Sequence, residues 1–137
     1  MKSFNVRPYY PEEYETIRGW WEDCHEMPPF PWQLPATSTF IMEDDKGFPM
    51  LCVTLYMIEN TPICWVENLV SRPGLDAMIR RKGVYALLKH LEETGKARGK
   101  SVMLAMGLVG KKGLLERYTE LGFRKTAQVY TYGKELA

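Results

Sequence analysis

The chain has 137 residues, of which 45% are hydrophobic and 26% are charged. A chain of this length builds one hydrophobic core, and the composition is that of an ordinary globular protein. The formal net charge is only +1, so no overall field attracts nucleic acid or an anionic membrane, and any anion must be attracted locally. We therefore expect a single domain over residues 1–137 that binds neither nucleic acid nor membrane.

The three cysteines, Cys24, Cys52 and Cys64, lack the spacing of a metal site. Two of them lie in apolar, strand-like segments, as small hydrophobic side chains do. No window approaches the ~18 apolar residues of a membrane span, and no long apolar segment stands near the first residue. These features favour a protein of the reducing cytoplasm that holds no metal ion.

In chain order, the sequence first predicts a strand, a helix, an aromatic loop and three antiparallel strands. The strand covers Phe4–Arg7, and the helix runs from Pro11 to near Cys24 because apolar residues recur there at spacings of three and four. Four prolines within residues 25–38 oppose both helix and central strand, which predicts an ordered loop. The antiparallel strands, separated by short polar turns, cover Thr39–Glu43, Phe48–Ile58 and Ile63–Ser71.

The remainder of the chain predicts helices and strands in alternation. From Val84 the apolar residues follow the helical period until Gly99, which suits a helix end. A strand over Ser101–Met106, a short helix over Leu114–Leu121 and a final strand over Phe123–Tyr132 follow. A strand, a crossover helix and a strand make a parallel pair. The predicted fold is therefore α/β of the α+β type, with a mixed, mostly antiparallel sheet, one parallel strand pair and flanking helices.

Three consecutive cations precede the point where the periodic pattern begins: Arg80, Arg81 and Lys82 come directly before Gly83 and Val84. If the helix starts there, the cations stand at the positive end of the helix dipole. That arrangement favours a bound anion, such as a pyrophosphate, on the free backbone N–H groups. The alternative is a helix that begins earlier, with Asp76 as its N-cap and the cations on a solvated second turn. The run of cations leaves both alternatives open.

Two motifs resemble those of the GNAT N-acetyltransferase superfamily. The first covers Glu67–Pro73 and continues over Arg80–Val84, which is similar to the motif by which that family binds coenzyme A. The second, Tyr118–Phe123, is similar to the family's Tyr-x-x-x-Gly-Phe signature. The order of elements also agrees over nearly the whole chain. The resemblance implies a GNAT-like fold and the transfer of an acetyl group from acetyl coenzyme A to a primary amine of an unknown acceptor.

The resemblance also implies roles for individual residues. Val70 and Ser71 match the strand positions whose N–H groups face the thioester carbonyl. Glu67 matches a strand carboxylate that accepts a proton from the amine, and Tyr118 matches an acid for the departing thiolate. An alkylamine with a pKa of ~10.4 is neutral in only about one molecule in 10³ at pH 7, so such a base is useful. The pyrophosphate would lie around Arg80, Arg81, Lys82, Gly83, Val84 and Tyr85.

The chain departs from the family's pattern at several places: Tyr85 stands where a small residue is usual and Ser71 where a valine is usual, the loop from Pro73 to Gly83 is longer than usual, and the asparagine that commonly begins the last helix is replaced around Lys111. The chain also resembles acetyltransferase-like proteins of tailed phages, in which the fold can persist without the reaction. The second hypothesis is therefore a catalytically inactive GNAT-fold binding or virion-associated protein. Such a protein would use the aromatic loop Pro28–Pro35 as a contact surface.

Each candidate residue also has a purely structural interpretation. Tyr118 falls on the apolar side of its helix and suits a core position, and Glu67 suits a pair with a neighbouring cation. Aromatic and acidic residues near the loop suit either a core or an amine site; they are Trp20, Trp21, Phe30 and Trp32 with Glu22, Asp23 and Glu26. The acceptor, a small molecule or a protein amine, is not readable from the sequence, and exposed edge strands are compatible with a homodimer.

Overall fold

The computed structural model of the chain describes residues 4–106, 112–127 and 132–136. In chain order its helices and strands are β1 (Asn5–Pro8), α1 (Tyr14–Asp23), β2 (Thr39–Glu43), β3 (Pro49–Met57), β4 (Ile63–Ser71), α2 (Ala77–Ala97), β5 (Val102–Ala105) and α3 (Lys112–Glu120). Short 3₁₀ turns cover Pro11–Glu13, directly before α1, and Pro31–Gln33, within the aromatic loop. Most predicted elements are therefore present.

The strands form one five-stranded sheet in the order β1-β2-β3-β4-β5. Neighbours from β1 to β4 are antiparallel, whereas β4 and β5 are parallel and are connected through α2. The predicted α+β fold, a mixed sheet with one parallel pair, is confirmed. Neither the 21-residue α2 nor any other helix of the described ranges has an apolar stretch long enough to cross a membrane.

Different helices pack on the two faces of the sheet. In β3, Leu51, Val53 and Leu55 pack in one cluster with the buried leucines of α2 and with Tyr118 of α3. Cys52 points to the opposite face and packs in a second cluster with Ile17 of α1. Strand side chains alternate between faces, so β3 supports both layers.

The start of α2 corrects one prediction. The helix begins at Ala77 and not at Gly83–Val84. The Oδ1 atom of Asp76 accepts hydrogen bonds from the N–H groups of Met78 and Ile79 at 3.0 and 3.1 Å, so Asp76 is the N-cap. A carboxylate cap stabilises a helix by about 1 kcal/mol, which offsets the similar cost of a glycine in the helix interior. The alternative that the sequence left open, a start at Asp76 with the cations on the second turn, is confirmed.

The predicted final strand, Phe123–Tyr132, is not found among the described residues. Phe123 packs against Tyr118, with ring centroids 5.1 Å apart. Residues 124–127 are exposed and have no regular structure, because no described strand lies beside them to complete a hydrogen-bonded ladder. Residues 128–131 of that prediction lie outside the described residues.

Gly83 lies inside α2 and allows the helix to approach the sheet closely. A Cβ atom at this position would lie 2.6 Å from Met50 Cε and 3.0 Å from Leu51 Cδ1. Both side chains are fully buried, so neither can move into solvent. The absence of a side chain at Gly83 therefore serves helix–sheet packing.

We predict that Gly83→Val lowers the free energy of unfolding by about 1–3 kcal/mol, because overpacking a closed core forces neighbouring side chains to shift. The matched control is Gly19→Val in α1, where an added Cβ meets no atom within 4 Å. Valine has a helix propensity close to or slightly better than that of glycine, so this control should change stability by less than about 0.5 kcal/mol. Urea unfolding of both variants measures the difference, and equal stabilities would contradict the packing role of Gly83.

Candidate active site

A β-bulge divides β4 into two halves. Thr54 of β3 pairs with Glu67, whereas Cys52 pairs with Val70. Two steps along β3 therefore correspond to three steps along β4, so β4 contains one extra residue between the two pairs. Within this interval Asn68 has a φ angle of 57°, in the left-handed region that asparagine tolerates better than most residues. Since a bulge bends its strand and increases its twist, β4 changes direction at Asn68.

The parallel neighbour β5 follows β4 only as far as this bulge. Residues Ile63–Val66 pair with Val102–Ala105. On the side of β5, the following segment Glu67–Ser71 has no strand partner among the described residues. Within the described part of the chain, a gap therefore lies beyond the carboxyl ends of the paired segments of β4 and β5.

The backbone of β4 presents an N–H group to this gap at Ser71. The N–H of Arg72 donates to the carbonyl oxygen of Met50 at 2.9 Å, so Arg72 directs its amide toward β3. Successive residues of a strand direct their N–H groups to opposite sides. The amide of Val70 thus faces β3 and its side chain packs in the core, whereas the amide of Ser71 faces the gap. Of the two predicted donors, only Ser71 has this orientation.

Glu67 lies at the edge of an open cleft of about 350 Å³. The lining residues are Gln33, Tyr56, Ile58, Trp65, Glu67 and Asn68. Trp65 Nε1 donates a hydrogen bond to Glu67 Oε1 at 3.1 Å, which orients the carboxylate. Among the described residues no cation lies within ion-pair distance of Glu67, so the alternative of a paired surface carboxylate is not supported.

The bulge residue also connects the aromatic loop to the sheet. Asn68 Nδ2 donates to the carbonyl oxygen of Gln33 at 3.1 Å and to the hydroxyl of Tyr56 at 3.3 Å. The Tyr56 hydroxyl donates to the same Gln33 carbonyl. The sequence did not predict the roles of these three residues, although an asparagine within an apolar strand is a signal for a bulge because asparagine is depleted in strands.

The predicted aromatic cluster divides into a buried part and an exposed part. Trp20 belongs to the core under α1. Phe30 and Trp32 stack on each other, with ring centroids 5.7 Å apart and exposed fractions of 58% and 76%. The loop thus places an exposed aromatic pair next to Gln33, at the rim of the cleft.

Tyr118 of α3 faces the end of β5. Its hydroxyl donates a long hydrogen bond of 3.4 Å to the carbonyl oxygen of Met106, and its side chain is almost fully buried. Burial, and to a smaller extent the negative charge of Glu67, raises the pKa of Tyr118 to about 12. Tyr118 is thus both a core ring and a hydroxyl that keeps its proton at neutral pH and senses the charge of Glu67.

The predicted anion site has a different geometry from the one expected. Arg80, Arg81 and Lys82 are exposed on the second turn of α2, and the N–H of Arg80 already donates to the carbonyl oxygen of Asp76 at 2.9 Å. Gly83, Val84 and Tyr85 lie deeper in the helix, where N–H groups are used by the helix itself. The expectation that these amides are free is therefore wrong, while an electrostatic contribution of the three cations stays a prediction.

A coenzyme A thioester fits one part of this site and not the other. At the gap, the amide of Ser71, the carboxylate of Glu67 and the hydroxyl of Tyr118 suit a thioester and an attacking amine. At the first turn of α2, two of the four N–H groups that a helix start leaves free are bound by Asp76. These groups thus suit the reacting end of the donor, whereas the predicted cradle for its diphosphate does not fit.

The raised pKa of Tyr118 predicts a loss of stability at alkaline pH. The unfolded phenol ionises near pH 10, whereas the folded one ionises near 12. The contribution of the protonated Tyr118 hydroxyl to the free energy of unfolding is therefore complete below pH 10 and is lost as the pH rises toward 12. When the pH rises from 9 to 11, the free energy of unfolding should fall in both proteins, and we expect the fall to be about 1 kcal/mol smaller in Tyr118→Phe than in the unchanged chain. Urea titrations at both pH values test this, and identical losses would place the hydroxyl in solvent.

Comparisons with known proteins give a match in fold and none in sequence. No protein-family model matches the chain, and no curated protein matches it. The aminoglycoside 6′-N-acetyltransferase of Acinetobacter baumannii superposes with a TM-score of 0.66 at 17% identity, over 98% of this chain and 100% of that one. A Trypanosoma brucei acetyltransferase gives 0.70 at 14% identity, over 96% and 100%.

A third structure contains the coenzyme. It is the N-acetylglutamate synthase of Neisseria gonorrhoeae in complex with coenzyme A and N-acetylglutamate, with a TM-score of 0.63 at 16% identity. The match covers 84% of this chain and 28% of that larger one. At these identities the similarity concerns the fold. With its mixed sheet and its crossover helix between parallel strands, the chain has the fold of the GNAT-family N-acetyltransferases.

Proposed function

We propose that the chain is an N-acetyltransferase that moves an acetyl group from acetyl coenzyme A to a primary amine. One observation carries the proposal: the bulge at Asn68 ends the pairing of β4 with β5, and three suitable groups belong to β4 and to α3, whose Tyr118 contacts Met106 just after β5. They are the amide of Ser71, the carboxylate of Glu67 and the hydroxyl of Tyr118. The acetyltransferases of the same fold support the choice of reaction.

In the proposed reaction the amine nitrogen attacks the carbonyl carbon of the thioester. A carbon–nitrogen bond forms, and the carbonyl oxygen takes up negative charge. The amide of Ser71 points into the gap and is the suitable donor to this oxygen, because a preorganised N–H group stabilises charge that develops in the transition state. When the tetrahedral intermediate collapses, the carbon–sulfur bond breaks, the amide product forms and a thiolate leaves.

Glu67 is the proposed base. An alkylamine is almost entirely protonated at neutral pH, so it arrives as a cation, must lose one proton before its nitrogen can attack, and loses a second proton to solvent as the amide forms. The carboxylate of Glu67 attracts this cation and accepts the proton directly or through one water molecule. The hydrogen bond from Trp65 Nε1 holds the carboxylate at the edge of the cleft.

Tyr118 is the proposed donor to the departing sulfur. With a pKa of about 12 its hydroxyl keeps its proton at neutral pH. A thiol is more acidic than such a phenol, so Tyr118 keeps its proton and contributes a hydrogen bond that stabilises the thiolate as it forms, and the released thiolate takes a proton from solvent. The acceptor is a primary amine, from a small molecule or a protein side chain, that enters the cleft of about 350 Å³ beside Glu67.

We predict that Tyr118→Phe lowers kcat by about 10²-fold and leaves the Kd for acetyl coenzyme A within about twofold, because only a group used in the transition state is lost.

In the same assay, Glu67→Gln should lower kcat at pH 7 and recover part of the loss at pH 10, where more of the amine is neutral. Acetylated amine should be quantified by mass spectrometry, since the exposed Cys24 would react with thiol dyes.

The control is Tyr132→Phe, which removes a hydroxyl from an exposed side chain and should not change the rate. Equal activity of Tyr118→Phe and the unchanged chain would remove Tyr118 from the mechanism. If the chain acetylates none of a broad panel of primary amines, the enzyme proposal fails and the second hypothesis, a binding protein on this scaffold, takes its place.

A further inference from the structure

We infer that this chain recognises its acyl donor without the diphosphate group, so that an acyl pantetheine thioester serves as donor about as well as acetyl coenzyme A. The inference rests on the proposed function and deepens it by defining the class of donor. It follows from the first turn of α2, from the cations near that turn and from the open edge of β4.

The first turn of α2 has few free hydrogen-bond donors. Asp76 Oδ1 accepts from Met78 N and Ile79 N at 3.0 and 3.1 Å, and the carbonyl oxygen of Asp76 accepts from Arg80 N at 2.9 Å. A diphosphate at a helix start depends on these same N–H groups. To bind here, it would first have to displace the side chain of Asp76.

The local charge also opposes a diphosphate. A helix N-terminus carries the equivalent of roughly half a positive charge. The carboxylate of Asp76 stands on that end with a full negative charge, so the sum is negative where an anion would lie. A phosphate would thus meet repulsion at the position that usually attracts it.

Two nearby cations are held by other groups. Arg72, which directly follows β4, donates to the carbonyl oxygen of Pro49 at 2.9 Å and to Asp44 Oδ2 at 3.2 Å. Arg81 pairs with Glu120 of α3 at 3.1 Å. Arg80 and Lys82 are exposed on the second turn of α2. At physiological salt, ions in solution screen the charges of these side chains, so that their attraction for an anion weakens beyond about 8 Å. They give coenzyme A a weak, salt-dependent attraction without a defined site.

The donor still has a binding edge at β4. The segment Glu67–Ser71 is paired with β3 on one side, and on the other side it has no strand partner among the described residues. A pantetheine arm contains two secondary amides, which can pair with an unpaired strand edge as an added strand does. The thioester end and this arm are common to acetyl coenzyme A and to S-acetylpantetheine, which lacks the nucleotide and the diphosphate.

The test compares kcat/KM for acetyl coenzyme A and S-acetylpantetheine with one amine at about 0.15 M salt. With either donor the acetyl group moves from sulfur to nitrogen, and the thiol leaves with one proton. We expect the two values to agree within about tenfold. A built cradle with two charge-assisted hydrogen bonds would favour acetyl coenzyme A by on the order of a hundredfold or more, and a preference above tenfold overturns the inference.

Asp76→Ala tests the cause. This variant frees the amides of Met78 and Ile79 and removes the negative charge, so the ratio of kcat/KM for acetyl coenzyme A to that for S-acetylpantetheine should rise at least threefold. Asp76→Asn, which keeps a capping oxygen, should raise the ratio less. The control is Glu93→Ala, near the other end of α2, which should leave it unchanged.

Because each variant is compared with itself on two donors, a general loss of stability cancels in the ratio. An unchanged ratio in Asp76→Ala would overturn the role of Asp76. Transfer from neither donor would instead refute the proposed function, so the two failures are distinguishable.

Discussion

The β-bulge at Asn68 is the feature on which the candidate site depends. One extra residue in β4 changes the direction of the strand, and the side chain of Asn68 holds the aromatic loop through the carbonyl oxygen of Gln33 and the hydroxyl of Tyr56. Without the bulge, β4 could continue beside a parallel neighbour and its amides would be used for pairing. With it, the strand offers a backbone donor at Ser71 and a carboxylate at Glu67.

The two ends of the donor site show a conflict between stability and anion binding. Asp76 stabilises the first turn of α2 because its carboxylate accepts two hydrogen bonds from N–H groups that would otherwise be free. The same bonds occupy the place where a phosphate would bind. Gly83 stands in a segment that resembles a phosphate-binding motif, but in the structure it allows α2 to pack closely on Met50 and Leu51. A glycine that suggests phosphate binding in the sequence can thus serve the packing of the core.

The sequence predicted elements whose signals are local. The strands Thr39–Glu43 and Ile63–Ser71 were placed at their observed bounds because polar turns flank apolar, β-branched segments. The start of α2 was misplaced because the glycine and the cations were weighed above the N-cap Asp76. The bulge and the contact of Tyr56 with Gln33 were not predicted, since both depend on how separate segments pair in three dimensions. Glu67 and Tyr118 were proposed through family motifs, and their roles stay predictions.

The proposed reaction requires that the gap between β4 and β5 binds the acyl thioester. The most direct test records proton–nitrogen correlation spectra of the chain during titration with S-acetylpantetheine. We predict that the amide signal of Ser71 moves strongly, because that N–H group faces the ligand, while the signal of Val70 moves much less, because its amide faces β3. An unmoved Ser71 signal at saturation, with shifts confined to residues away from β4, would contradict it.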